Sequence, residues 1–342
     1  MTNESLTLQF RQQAQGALSL NIAYIGVVNG LFATLERLGS ASSQQLAEQS
    51  AMDQAYVLRW CDAAFAFGYL EEDAVGFRLS PSGSAMCPDS KETLMPIAIQ
   101  SILSAHMAER AAALMRTGER PGESTLAERT TVLPWFGRML EANFSSLFNH
   151  TILPQIPAYA QVNQQHGLVV DLGCGNGWYL RSLAQHFPHL RGFGLDGFAE
   201  NIRQAQEKSQ SSGLANRLQF HCGDIHQLQL PEPVQLIAMN RALHHVFEKD
   251  PETLIDWMLQ QLTPGGYVVI WEPAWPNDRS RLHTPALRAM AFQNLSEHVQ
   301  GNHFLHPEEI RSLFSRRGMQ TSVSLFNQDT EAVIVAQRAT MD

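Results

Sequence analysis

The sequence is poor in cysteine, in positive charge and in long apolar runs. Its four cysteines form no CxxC pair, so neither a disulfide framework nor a cysteine-based zinc motif is indicated, and we expect reduced thiols. The 24 Lys and Arg residues are outnumbered by 33 Asp and Glu, giving a formal net charge of −9 over 342 residues. This acidic balance argues against binding nucleic acid or an anionic membrane through whole-protein charge.

Membrane and secretory segments are equally lacking. The longest apolar stretch, residues 22–32, is interrupted by Asn29 and Gly30 and is too short to cross a bilayer. The N-terminal residues show no basic region followed by an apolar core. We therefore expect a cytoplasmic protein whose core is large enough to fold without disulfides.

Hydrophobic patterning changes near residue 165. Helical patterns rich in Ala, Leu, Gln and Met come before it, and short Val, Leu and Ile runs alternating with helical stretches come after it. The second pattern is typical of a parallel sheet with crossover helices. The predicted organisation is a first domain over 1–90, a helical bridge or lid over 91–164, and an α/β domain over 165–342.

The first domain has the order helix, helix, helix, hairpin that is typical of a winged helix. We predict helices over 17–38, from Ser42 or Ser43, and over 54–67, and a hairpin within 69–79. DNA binding by this fold requires a basic third helix and wing. Here the third helix offers Arg59 alone and the hairpin carries Glu71-Glu-Asp73, so a dimerisation or lid function is favoured.

A glycine loop opens the α/β domain. The apolar strand 168–172 contains Asp171 and leads into Gly173, Gly175 and Gly177, where the absence of a Cβ lets a ligand approach the backbone. The spacing is GxGxG, not the GxGxxG of dinucleotide folds. Asp171 would oppose a pyrophosphate but suits a ligand with an ammonium group, which favours S-adenosylmethionine over NAD.

Polar residues follow the next strands in order. A strand over 192–196 ends in Asp196, where doubly wound sheets commonly place an acid for ribose hydroxyls. Gly223-Asp224 follows a strand over 217–221, and its carboxylate suits an adenine amino group. Asn240 ends a fourth strand, and Thr263-Pro-Gly-Gly266 precedes a fifth. The alternative is that Asp196 and Asp224 only cap the helices that follow.

This order resembles the class I S-adenosylmethionine-dependent methyltransferases, whose first motif corresponds to DLGCGNG. The resemblance covers 165–338 and implies a doubly wound, seven-stranded Rossmann-like sheet that closes with antiparallel strands at 321–325 and 331–337. With the winged helix, it also implies a homodimer formed through the N-terminal domain. The cofactor-binding residues that it implies are Asp171, Gly173, Gly175, Gly177, Asp196, Gly223, Asp224 and Asn240.

Histidines mark the chemical site. His244 and His245 follow the fourth strand, where O-methyltransferases of this architecture often have Leu-His-Asp-Trp with the His as general base. His298 and His303 form a second group beyond the fifth strand. Two imidazoles with open positions suit a divalent metal or iron, although most of the 13 histidines are expected to be surface or hydrogen-bonded groups.

The histidines resemble those of the bacterial α-keto acid C-methyltransferases. That resemblance implies a divalent metal or iron held by His244 and His298, with His245 and His303 as neighbours that could replace or support these ligands. Removing a proton from the substrate carbon requires a base within reach, and His245 is the candidate. The substrate is then an α-keto acid such as phenylpyruvate or 2-ketoarginine (5-guanidino-2-oxopentanoate), the latter favoured on overall resemblance. Candidate partners for its carboxylate are Arg110 and Arg116, and for its guanidinium tail Glu109, Glu123, Glu141 and Glu272.

Two alternatives stay open from the sequence. A metal-independent O- or S-methyltransferase would keep the fold and use His244 as a base. A winged-helix regulator that senses S-adenosylmethionine would bind DNA in a salt-dependent way.

Overall fold

The computed structural model describes residues 3–90, 92–122, 124–128, 131–228, 230, 232–247 and 250–340. The chain divides into two compact units, Met1–Met107 with Arg129–Ala142 and Ala108–Glu128 with Asn143–Asp342. The stretch 91–164, predicted as a bridge, is thus shared between the two units. The first unit is mostly helical, and the second contains a seven-stranded sheet.

The first unit follows the predicted order of helices and hairpin, with two differences. The first helix begins at Asn3, not at residue 17. The stretch predicted as one helix over 17–38 is divided in two, because Gly30 adopts a left-handed φ of 66°. Asp53 caps the third predicted helix through the backbone N–H of Tyr56 at 2.9 Å, as expected. The elements up to residue 147 are α1 (Asn3–Val28), α2 (Leu31–Leu38), α3 (Ser43–Ser50), α4 (Gln54–Ala66), β1 (Leu70–Glu72), β2 (Phe77–Leu79), α5 (Pro81–Ser84), α6 (Met95–Leu114), α7 (Ser124–Ala127) and α8 (Leu133–Leu147). Of these, α7 belongs to the second unit, and α6 and α8 are divided between the two units.

Aromatic packing holds the first unit together. The Phe32 ring meets Trp60 and Tyr69 edge to face, at centroid distances of 5.3 and 5.8 Å. A Cβ at Gly26 would lie 2.3 Å from the Phe32 ring, so α1 needs a glycine there for α2 to pack closely.

In the second unit, strands alternate with helices. Short π- and 3₁₀-helical turns lie at Phe148–Ile152, Leu153–Gln155, Ile225–Gln227 and Arg279–His283. The remaining elements are α9 (Pro157–Gln164), β3 (Leu168–Leu172), α10 (Trp178–His186), β4 (Arg191–Asp196), α11 (Ala199–Ser211), β5 (Leu218–Cys222), β6 (Val234–Asn240), α12 (His244–Phe247), α13 (Pro251–Gln261), β7 (Leu262–Pro273), α14 (Pro285–Val299), α15 (Pro307–Ser315), β8 (Gln320–Phe326) and β9 (Glu331–Gln337).

The sheet has the order β5-β4-β3-β6-β7-β9-β8. Strands β3 to β7 are parallel, and β9 is antiparallel to both β7 and β8. In β3 every residue is buried, with Val169 in the apolar cluster on one face and Val170 in the cluster on the other. Burial on both faces is expected for a parallel sheet covered by helices, and it confirms the predicted doubly wound fold.

Within the described residues, no single helix combines the length and apolar composition needed to cross a membrane. The pair α1 and α2, bent by 69° at its break, meets that test only when both helices are taken together.

Candidate active site

The carboxyl ends of the five parallel strands lie at one edge of the sheet. Open α/β sheets bind ligands outside this edge, in the crevice where the strand order reverses. Here the order reverses between β3 and β6. The loops that follow these two strands contain the predicted glycines and His244 and His245.

The glycine loop after β3 needs glycine for two different reasons. All three glycines have positive φ, at 76° for Gly173, 53° for Gly175 and 74° for Gly177. A Cβ at Gly173 would lie 2.7 Å from the Cβ of Ala242, and one at Gly177 would lie 2.6 Å from the Phe220 ring. A Cβ added at Gly175 would meet no described atom within 4 Å, so the space beside this position is open to a ligand.

Asp196 ties the glycine loop to the next strand. Its Oδ2 accepts the backbone N–H of Gly175 at 2.8 Å, and its Oδ1 accepts from the Phe198 backbone at 2.9 Å and the Asn201 amide at 3.0 Å. Asp196 therefore does organise the start of α11, as the capping alternative supposes. A carboxylate has about four acceptor sites, so capacity for ribose hydroxyls is left.

Gly223 and Asp224, which the sequence predicts to bind adenine, are both exposed. The Gly223 backbone N–H donates to the Asp196 carbonyl at 3.1 Å, which brings the ends of β4 and β5 together. The adenine-binding role of Gly223 and Asp224 stays a prediction.

Asp171 and Asn240 form a buried polar pair between β3 and β6. The Asn240 amide donates to Asp171 Oδ1 at 2.9 Å, and Asp171 is 1% exposed. Burial raises the pKa of Asp171 to about 8, and the nearby charge of Asp196 acts in the same direction. The hydrogen bond from Asn240 acts in the opposite direction and lowers this pKa. Asn240 Oδ1 is buried and has no hydrogen-bond partner among the described residues. The pair thus presents acceptor oxygens to a donor such as an ammonium group.

His244 is held by Glu272, the eleventh residue of β7. His244 Nδ1 lies 2.6 Å from Glu272 Oε2, and Glu272 Oε1 accepts the backbone N–H of Leu243 at 2.7 Å. Burial acts to raise the pKa of Glu272, but the hydrogen bond with His244 and the charge of Arg241 help to lower it below its usual value. A histidine that donates Nδ1–H to a carboxylate keeps a lone pair on Nε2, which can bind a metal or accept a proton.

Two further side chains, His245 and Glu297, lie close to the His244 ring. Glu297 Oε2 lies 3.9 Å from this nitrogen, and the His245 ring centroid is 4.2 Å from that of His244. Ligand atoms of His244, His245 and Glu297 all lie within 4.8 Å of one another. Two imidazoles and a carboxylate are a donor set suited to a divalent first-row metal, so the residues present fit the metal that the resemblance implies.

The predicted ligand His298 is not part of this cluster. It is exposed, whereas the buried residues of α14 include Leu287, Met290 and Glu297. Spacings of three and seven residues return to the same helix face, while the next residue lies about 100° around the helix. Glu297 therefore takes the position that the sequence assigned to His298. Gln300 Nε2 donates to Glu297 Oε2 at 3.1 Å.

The other predicted candidates are not among the three clustered donors His244, His245 and Glu297. His303 packs edge to face on Phe247 at a centroid distance of 6.2 Å, and Arg110 pairs with Glu128 at the surface. Glu109 and Arg116 are exposed, Glu141 belongs to the first unit, and Glu272 is engaged by His244. Glu123 lies outside the described residues.

Arg241 is a residue that sequence reasoning did not single out. It follows β6 with a left-handed φ of 55°, which is uncommon outside glycine. Its Nη1 lies 2.7 Å from Glu331 Oε2, and its guanidinium lies 4.3 Å from the Phe144 ring centroid. Trp271 Nε1 donates to the same carboxylate oxygen at 2.8 Å. No local sequence signal predicts this ion pair, because its members come from different strands.

Comparison with known proteins identifies the same domain. Residues 169–266 match the model of a methyltransferase domain family. An uncharacterized methyltransferase from Geobacillus kaustophilus is 26% identical over 162 residues, which are 47% of this chain and 72% of that protein.

Solved structures match over the full length of the chain. An O-methyltransferase family protein from Burkholderia thailandensis superposes with a TM-score of 0.73 at 17% identity, covering 100% of both chains. Human N-acetylserotonin methyltransferase, solved in complex with S-adenosylmethionine, gives 0.74 at 17% identity over 99% of each chain. At such identities these likenesses show the fold. Taken with the matched domain and the cofactor loop, they establish that the chain is an S-adenosylmethionine-dependent methyltransferase of the class I fold.

Proposed function

We propose that this enzyme methylates the carbon beside the ketone of an α-keto acid, with a divalent metal or iron held by His244, His245 and Glu297. The observation that carries the proposal is the convergence of these three donors next to the cofactor loop. Ala242, two residues before His244, packs against Gly173 of that loop. Among α-keto acids, 2-ketoarginine is the substrate that we favour, on the sequence resemblance alone.

Several residues of this chain have separate roles in the proposed reaction. Glu272 fixes the His244 ring so that Nε2 points at Glu297 Oε2. A bound cation would polarise the keto acid and stabilise the negative charge that develops when the adjacent carbon loses a proton. His245, predicted as the base, becomes a ligand in this arrangement, so the proton lost by the carbon passes to water. The loop after β3 holds the methyl donor, and attack requires the acceptor carbon within about 3–3.5 Å of the methyl group.

Electrostatics favour cations at this edge. Among the buried acidic side chains of this unit, Glu331 pairs with the guanidinium group of Arg241. These buried acids are Asp171, Asp196, Glu272, Glu297 and Glu331. Burial keeps Asp171 protonated below about pH 8, and a cationic cofactor would favour its ionised form, while a divalent metal would pair with the buried acids at the histidine cluster.

The test is methyl transfer from S-adenosylmethionine to a panel of 2-keto acids, with and without a chelator, alongside elemental analysis of the purified protein. We expect transfer to the keto carbon, its loss on chelation, and losses of about 100-fold or more in His244→Ala and Glu297→Gln. His298→Asn is the matched control, because His298 lies on the same helix but is exposed. Activity that survives both chelation and His244→Ala would exclude the metal-assisted reaction.

A second candidate is favoured by the buried His244–Glu272 pair. A histidine oriented by a carboxylate is also the arrangement of a general base, and it would serve a metal-independent O- or S-methyltransferase. That enzyme would methylate hydroxyl or thioether acceptors, bind no metal and tolerate Glu297→Gln. The same panel, extended to hydroxylated acceptors, separates the two candidates.

A further inference from the structure

Helix α14 ends in a tight turn, and residues before and after this turn lie close to His244 and His245. The Glu297 carbonyl accepts the backbone N–H groups of Gln300 and Asn302, each at 2.9 Å, and Gly301 between them has φ of 85°. A left-handed glycine just past a helix reverses the chain at once. The turn therefore fixes the position of Asn302 relative to Glu297.

The turn presents one side chain to each histidine. Glu297 Oε2 lies 3.9 Å from His244 Nε2, and Asn302 Nδ2 lies 3.0 Å from His245 Nδ1. Asn302 is 4% exposed, so losing this contact would leave its amide buried without that partner, which is costly.

The Asn302 amide decides what the other ring nitrogen of His245 can do. A neutral imidazole carries one proton, and the hydrogen bond at one nitrogen selects the tautomer. When Asn302 donates through Nδ2, His245 Nδ1 accepts and Nε2 carries the hydrogen. When the amide turns over, Oδ1 accepts from Nδ1–H and Nε2 keeps a lone pair. The two ends of a carboxamide have nearly the same shape, so both arrangements fit.

We propose that Asn302 is a positioning residue that sets the tautomer of His245, and that its amide turns over when His245 binds a metal. The metal-binding part rests on the proposed function; the control of the tautomer does not. In the arrangement seen in the structure, His245 Nε2 is a donor. The turned arrangement converts it into a ligand without moving the backbone.

Two substitutions separate the arrangements. In Asn302→Asp the carboxylate only accepts, which fixes the Nδ1–H tautomer, whereas Asn302→Leu removes the polar contact. We would label the metal-free protein with ¹⁵N-histidine and record ring signals near pH 9, where imidazole is neutral. His245→Gln identifies the His245 signals, and thermal unfolding of each variant verifies folding. His298→Asn is the matched control.

The expected result is Nε2–H in the parent protein, Nδ1–H in Asn302→Asp and a mixture in Asn302→Leu. Titration with Co²⁺ followed by calorimetry should then give affinity at least as high in Asn302→Asp and about 10- to 100-fold lower in Asn302→Leu. The same tautomer in all three proteins would overturn the assignment. A tautomer that changes as expected in proteins that bind no Co²⁺ would support Asn302 as the positioning residue and refute the metal-dependent function.

Discussion

Glu272 is the residue on which the state of His244 depends. Its two oxygens accept from different donors, the Leu243 backbone and the His244 ring. Because a backbone N–H can only donate, Oε1 must stay an acceptor. In a glutamine at this position, the carbonyl oxygen would therefore face the Leu243 N–H, and the amide nitrogen would take the place of Oε2 beside His244 Nδ1.

Glu272→Gln should therefore reverse the tautomer of His244. The new amide group would face Nδ1 and donate to it, placing the hydrogen on Nε2 and removing the lone pair that faces Glu297. We expect activity about 10- to 100-fold lower, measured as initial rate at saturating S-adenosylmethionine. Cofactor affinity by calorimetry is the control, and a variant with parental activity would contradict the assigned role of Glu272.

Asp171 makes stability depend on pH. Its pKa in the folded protein is about 8, above the value of about 3.9 for an unperturbed Asp. The folded state therefore holds a proton that the unfolded state has lost between about pH 4 and pH 8, so this residue makes stability fall as pH rises through that window.

Asp171→Asn should remove this dependence, since an amide oxygen can still accept from Asn240. The variant should gain on the order of a few kcal/mol of stability over the parent near pH 8, with little difference near pH 4. Thermal unfolding of the cofactor-free protein across this range measures it. Cofactor affinity should fall in the variant, because the carboxylate that would face an ammonium group is gone. A constant difference in stability at all pH values would count against the buried acid.

At the scale of structural elements, the glycine loop allows the cost of a left-handed backbone to be measured apart from the cost of a Cβ clash. All three glycines have positive φ, but only at Gly173 and Gly177 would a Cβ collide with described neighbours. Gly173→Ala should lower the melting temperature clearly more than Gly175→Ala, which carries only a left-handed penalty of about 1–2 kcal/mol. Thermal unfolding of the cofactor-free variants measures this, and equal losses would show that the contact with Ala242 is relieved by small shifts.

Helix α14 shows how helical periodicity decides which side chain joins the histidine cluster. The sequence Ser-Glu-His places Glu297 and His298 side by side, and a search for histidines selects the second. Leu287 and Met290 mark the buried face, and Glu297 continues it. Reading the helical period before the residue type would have found Glu297.

For the whole molecule, we propose a cytoplasmic homodimer formed through the N-terminal domain. Helix α1 is mostly exposed, with Leu8, Phe10 and Leu18 at 59%, 65% and 55% exposure. Burying these side chains against a second copy of the chain would remove apolar surface from water. The acidic hairpin, in which Glu71 pairs with Arg78, does not suit contact with DNA phosphates.

Replacing Leu8, Phe10 and Leu18 together by Glu should convert a dimer into a monomer, because buried charge opposes association. Sedimentation equilibrium gives the mass, and Met115→Glu, which is also exposed, is the control. A parent protein that sediments as a monomer would end the dimer proposal. A gel shift with genomic DNA fragments at low salt should show no binding, and a salt-dependent shift would instead favour the regulator.

The sequence by itself determined the features that neighbouring residues encode: the glycine loop, the Asp53 cap, the alternation of strands and helices, and the cofactor that their order implies. Only the tertiary structure decided the partners of the histidines. The β6–β7 register pairs Asn240 with Trp271, which sets Glu272 beside the segment that begins at Arg241, and the turn after α14 brings Asn302 to His245. Local conformational preference acts over a few residues, whereas these contacts depend on strand register and helix packing between distant segments.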